Sequence, residues 1–315
     1  MTCLFGWSRV FRSAAVAAVF PSLFAFGGCE TAEPAEPATT GDLTVPTADP
    51  FTARTFVFDT IGFTRKDANG HVPGFDVDNR VSQEGDLQTC DKGDFTAPDG
   101  TPGIDNQFAN LVPIIELSGL KAFEGLLQSS IDNGGILLML DVSDVQDWRN
   151  DTVVKAVLRA GYGHPLLGTD GLLLSGQTFH LSTRSPELIL PNARIVDGIL
   201  RADAFDGQLP IHVFEYDYTL DMKSAQIVAN VVSDSRLEAG LLGGGITLSS
   251  IEQVAKTAAI DQPDLYETIT ALVAGVGDLA KDPVTGACTQ ISATLSFTAT
   301  TAYLFPGAAT TAPVP

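Results

Sequence analysis

The chain has 315 residues, 44% of them hydrophobic, and a formal charge of -20 from 38 acids against 18 lysines and arginines. That apolar content supports a sizeable core and excludes a globally disordered chain. The acidic balance excludes the basic footprint that nucleic acid requires and gives no electrostatic attraction to anionic lipid.

At the amino terminus, Arg9 and Arg12 precede an apolar run from Ala14 to Phe26, interrupted by Pro21. The run has signal-peptide length and is too short to span a bilayer comfortably. It ends in Phe26-Gly27-Gly28-Cys29. These residues resemble the end of a bacterial lipoprotein precursor signal, in which small residues precede a cysteine to be acylated. The resemblance covers only about the first thirty residues. It implies cleavage after residue 28, acylation (palmitate or a similar chain) at Cys29, and an extracytoplasmic, membrane-anchored place in the bacterial cell envelope. Loss of residues 1–28 removes Arg9 and Arg12 but no acid, leaving 16 cations against 38 acids, a charge of -22. Residues 29–50, rich in Pro, Thr, Ala and Glu, read as a disordered tether.

Residues 51–305 read as a single β-rich domain. Thr55 to Phe63 has strand composition. From Ile104 the period becomes helical through Phe108, Leu111 and Ile115, with Pro113 as a kink, and Leu117 to Ile131 predicts a second helix. Strands follow at 136–145, 152–162, 172–181, 193–205, 211–218, 226–232 and 237–248. Helices are predicted at 248–259 and 263–280, then a closing strand from Cys288 to Leu304 and a fraying tail at 306–315. Strands joined this closely predict a mainly β fold, an antiparallel β-sandwich or curved sheet with a few packed α-helices.

With Cys3 lost with the signal and Cys29 acylated, Cys90 and Cys288 remain. An exported compartment permits disulfides, so these two are expected to pair. Closing a loop of roughly 200 residues is worth roughly 4–5 kcal/mol by chain entropy.

Gly74 to Gln107 holds eight carboxylates and two cations, Arg80 and Lys92. So many like charges repel unless solvent or a bound cation takes up the charge. Calcium uses six to eight oxygen ligands, and turns rich in Asp, Asn and Gly let such oxygens converge. The candidate ligands are Asp76, Asp78, Asp94, Asp99 and Asp105, with Asn79 and Asn106 as secondary ones. Asp99-Gly100 and Gly103-Ile104-Asp105-Asn106 loosely resemble the calcium loops of extracellular modules such as thrombospondin type 3 repeats. Their spacing does not repeat, and the twelve-position loop of an EF-hand is absent. A solvated acidic loop and a catalytic carboxylate pair are the competing readings.

Nucleophilic catalysis has little support. Ser175 lacks the nucleophile-elbow glycines, and His71, His164, His180 and His212 include no pair at metal-ligand spacing. Gly243-Gly244-Gly245 lacks a phosphate-loop lysine and reads as a bulge or bend in a strand. Among the aromatics Trp148, Tyr162, Phe214, Tyr216 and Tyr218, the last three would share one strand face, as packing or as a binding platform. The leading reading is a lipid-anchored, non-enzymatic module facing the surface or periplasm, structural or ligand-binding; the sequence does not identify a protein or glycan partner. A carboxylate hydrolase of polysaccharide or peptide is the alternative, and a carrier enclosing an apolar ligand is a third.

Overall fold

A computed structural model describes residues 52–310, apart from 118–122, 214–215, 259–265, 268–269, 272 and 274. The chain divides into two units, Met1–Pro46 and Thr47–Pro315, and every described residue belongs to the second. The expected signal, Cys29 and the tether at 29–50 lie outside the described residues.

The apolar, β-branched stretch after Thr52 forms β1 (Arg54–Phe63). The acidic loop follows, with a short hairpin of β2 (Phe95–Thr96) and β3 (Pro102–Ile104). Then come α1 (Phe108–Leu117) and α2 (Phe123–Asp132). Ile104, expected on the first helix, is the last residue of β3, because the main chain at Asp105 bridges back to Phe75. The helices lie against the end of β1. Arg65 ties them together, reaching Glu116 of α1 at 2.8 Å and Glu124 of α2 at 2.7 Å.

The remaining strands are β4 (Leu138–Ser143), β5 (Lys155–Tyr162), β6 (Gln177–Ser182), β7 (Leu188–Leu190), β8 (Arg194–Val196), β9 (Ile199–Val213), β10 (Tyr216–Ser233), β11 (Arg236–Thr247), β12 (Leu279–Lys281) and β13 (Cys288–Thr310), with α3 (Leu248–Ala258) after β11. The fold is mainly β, as expected. The sheet is mixed: β6 and β13 run parallel while the other paired strands are antiparallel.

One strand organises this sheet. Along one edge, β13 pairs with β1 from Leu295 to Ala302. Along the other it pairs first with β11, from Gln290 to Thr300, and then with β6, from Ala302 onward. Because β1 also pairs with β4, β4 with β5 and β5 with β6, the strands β1, β4, β5, β6 and β13 close a ring. The sheet continues from β11 through β10 and β9 to β8. Phe56, Phe58, Met139, Leu140, Leu158 and Phe179, all almost fully buried, belong to the core that this closure makes.

Four expectations change on contact with the backbone. The strand expected at 193–205 is a hairpin, because Asp197 and Gly198 both take positive φ (52° and 77°) and form the tight turn favoured between antiparallel strands. The strand expected at 211–218 straddles a second hairpin: Val213 pairs with Tyr216. Phe214 lies outside the described residues. The helix expected at 263–280 gives way to the strand β12 at Leu279, after a turn at Gly275-Val276. At the carboxy end, β13 runs on to Thr310, paired with Ser182, where fraying was expected.

The glycine triplet sits inside β11, and the register irregularity lies opposite it on β10, between Lys223 and Gln226. Close approach accounts for these glycines. A Cβ on Gly244 would stand 2.8 Å from the Cα of Ala225, and one on Gly240 would stand 2.5 Å from the Phe297 ring. Phe297 in turn stacks on Phe58, with centroids 4.0 Å apart. Gly240→Ala is therefore expected to overpack this stack and lower stability by about 1–3 kcal/mol. A denaturant midpoint unchanged from wild type would mean that Phe297 yields without cost.

A charged pair lies inside the same region. Asp59 is fully buried, and its register step between Phe58 and Thr60 marks a bulge in β1. Its carboxylate accepts from Arg236 of β11 at 2.7 Å and from the Thr298 hydroxyl of β13 at 2.5 Å. The pair bridges three adjacent strands.

Candidate metal centre

The acidic loop is shaped by its own carboxylates. Asp105 is 2% exposed, and its Oδ2 accepts from the backbone N–H of Val77 at 2.6 Å and of Asp78 at 3.2 Å. Asn79 takes a positive φ of 59°, which turns the chain so that the Arg80 N–H reaches Asp76 at 3.1 Å and Asp78 at 3.0 Å. These local bonds compete with regular secondary structure and keep the segment a loop. They also aim three carboxylates inward. One oxygen of each of Asp76, Asp78 and Asp105 lies within 4.8 Å of the others.

The remaining candidate ligands divide. Asp94 accepts from the Ser82 N–H at 2.5 Å and lies close enough to feel the charges of Asp78 and Asp76. Asp99 sits on the exposed β2–β3 turn, where the Thr101 N–H at 2.9 Å holds its carboxyl below the usual range. Asn106 is buried and already committed: its Nδ2 donates to Thr64 Oγ1 and the Pro73 carbonyl, and its Oδ1 accepts from the Thr294 N–H. Asn79 contributes the turn.

Burial sets the electrostatics. It pushes Asp105 up to about 8, with the charges of Asp78, Asp94 and Asp278 adding to the rise and the Val77 N–H opposing it. Burial likewise raises Asp78 and Asp94. A further acid joins the group from far along the chain. Asp278, 3% exposed, accepts from the Ser292 N–H at 2.8 Å and its hydroxyl at 2.5 Å, and burial raises it to about 7. Sequence reasoning missed Asp278 because it placed the residue within a helix; the Gly275–Gly277 pair before it was the available signal.

A disulfide joins the acidic loop to the start of β13. Cys90 and Cys288 are joined, 198 residues apart in sequence. Cys90 lies in the acidic loop and Cys288 opens β13, next to the β12 segment that follows Asp278.

Two of the residues considered for other chemistry have neighbours of their own. Ser175 Oγ bonds the Thr301 hydroxyl at 3.0 Å, and the His180 ring packs on Phe305 with centroids 5.0 Å apart. An oxygen-only donor set of three converging carboxylates fits a hard divalent cation, with waters or backbone carbonyls completing the shell. Comparison with known proteins adds no relative: no protein family model, no curated protein and no solved structure matches this chain.

Proposed function

We propose that this chain is an exported, lipid-anchored, non-enzymatic module of the bacterial cell envelope, structural or ligand-binding, whose acidic loop holds calcium. The convergence of Asp76, Asp78 and Asp105 carries the reading. Three carboxylates crowded into a half-buried loop are costly without a counter-charge, and calcium tolerates the irregular oxygen geometry that magnesium does not. The signal-like first thirty residues support the anchor, and the Cys90–Cys288 bond agrees with an oxidising compartment. The well-buried aromatic and aliphatic core favours a module that presents a surface over a carrier with an apolar cavity.

Thermal unfolding of the oxidised chain from Asp42 onward, with calcium, magnesium or chelator, tests the cation. Calcium at a hundred times its Kd is expected to add about 2.7 kcal/mol, or roughly 5–10 °C in Tm for a domain of this size. The same Tm in all three conditions would return these carboxylates to solvent. The anchor is tested separately: palmitate labelling of the full chain in a bacterial host should vanish with Cys29→Ala.

A further inference from the structure

The segment from Ser82 to Asp94 is held in an unusual way. Only Ser82 and Thr89 within it are buried, and Leu87 is 68% exposed, so it gains little from the core. Its base is pinned by the Asp94 N–H to the Ser82 carbonyl and by the Ser82 N–H to the Asp94 carboxylate. Its outward ties among the described residues include the Lys281 ammonium on the Leu87 carbonyl, the Gln107 amide on the Gly93 carbonyl, an Arg80–Asp86 ion pair and the disulfide. Cys90 and Asp91 both adopt left-handed φ, 54° and 63°, a conformation that non-glycine residues resist.

At the other end of the bond, Cys288 is the first residue of β13 and pairs only with Lys281 of β12. The ladders that build the sheet begin later, at Gln290 with β11 and at Leu295 with β1. The disulfide therefore joins a weakly packed loop to the end of a strand outside the main ladders. It also ties together the two stretches that bring Asp94 and Asp278 near Asp105.

We propose that the Cys90–Cys288 disulfide is a redox latch, which an extracytoplasmic dithiol reductant opens to release the segment Ser82–Asp94 while the sheet stays folded. A thiolate of the reductant attacks the more accessible Cys90 sulfur, and Cys288 leaves as a thiolate that takes up a proton. The second thiol of the reductant then resolves the mixed disulfide. Two thiols form on this chain, and the reductant departs oxidised. Opening lets the left-handed pair Cys90-Asp91 relax. The consequence for cation affinity rests on the calcium reading above; the latch itself does not. By linkage, the closed form binds calcium more tightly, and bound calcium makes the bond harder to reduce.

Hydrogen exchange of the oxidised protein, the dithiothreitol-reduced protein and the Cys90→Ser/Cys288→Ser variant tests this. Amides at 83–93 are expected to exchange roughly tenfold faster or more once the bond is gone, with those of β1 and β13 at 295–302 unchanged. No change at 83–93 overturns the latch, and so does an equal acceleration throughout the sheet. If the double variant does not fold, alkylation of the reduced wild type keeps the question decidable: two added labels with an unchanged core support the latch, and labelling only with core unfolding overturns it. Calcium titration of the oxidised and reduced forms separates the two readings. A weaker Kd on reduction supports both, whereas an opened loop with calcium binding in neither form leaves the latch standing and removes the cation.

Discussion

Asp59→Ala is expected to cost about 3 kcal/mol, because Arg236 and the Thr298 hydroxyl both lose the buried carboxylate that they share. Asp59 is fully buried, and the Arg236 guanidinium that it binds has a side chain 30% exposed. Arg236 keeps a second carboxylate, Glu238 at 3.2 Å, so the loss falls at the lower end of the usual 3–5 kcal/mol range for such a break. The Thr298 hydroxyl also loses its acceptor. Urea denaturation of Asp59→Ala, Arg236→Ala and the double variant gives the coupling directly, expected to be about 1–3 kcal/mol. Additive single effects would mean that water replaces the pair at the bulge, and that its hold on β1, β13 and β11 is incidental.

The second large effect is on pH. Asp105 titrates near 8 in the fold and Asp278 near 7, both raised mainly by burial, against an ordinary value of 3.8. The folded state thus binds more protons than the unfolded chain between about pH 4 and 8, so stability falls as pH rises through that window. The contribution is intact below the unfolded value and lost once the folded carboxyls ionise. In chelator, the loss between pH 5 and pH 8 should reach several kcal/mol. Asp105→Asn keeps an oxygen for the Val77 N–H and should flatten most of the slope, making the variant the more stable protein at pH 8 without calcium. With calcium, the wild type should recover at high pH, because the ion offsets the charge that burial penalises. A flat wild-type profile in chelator would show that water reaches Asp105 and that the carboxyl ionises freely.

Local chemistry explains what could be read from residues alone. The composition of Thr55–Phe63 and the apolar closing stretch from Cys288 sufficed to place β1 and β13, since β-branched and aromatic residues suit a half-buried pleat. The Cys90–Cys288 bond followed from compartment and arithmetic, without any geometry. Ring closure was not legible, because pairing between strands some 240 positions apart leaves no trace in either segment. Hairpins at Asp197-Gly198 and after Val213 were hidden inside continuous strand-like composition, although Asp-Gly was a sufficient turn signal at the first. In the acidic loop, the density of carboxylates was plain, but which of them converge depends on backbone bonds to Val77, Asp78 and Arg80. Asp59 was overlooked for a different reason. A lone acid amid TFVFDTIGF breaks a buried pattern and should have called for a cationic partner.

Strand β13 gives the protein a clock. The ring needs β1, made first, to meet β13, made last, and both β6 and β11 lean on that same late strand. The ladders that do not involve β13, such as the β8–β9–β10–β11 meander and the β1–β4–β5 pairings, can form earlier, but they leave the ring open. Long-range closure of this kind is slow, because loop entropy must be overcome before contacts reward it. A chain emerging from its amino end therefore cannot close the ring until β13 is made. Truncation within β13 should thus leave an open sheet with exposed edges, far more damaged than the few missing residues suggest.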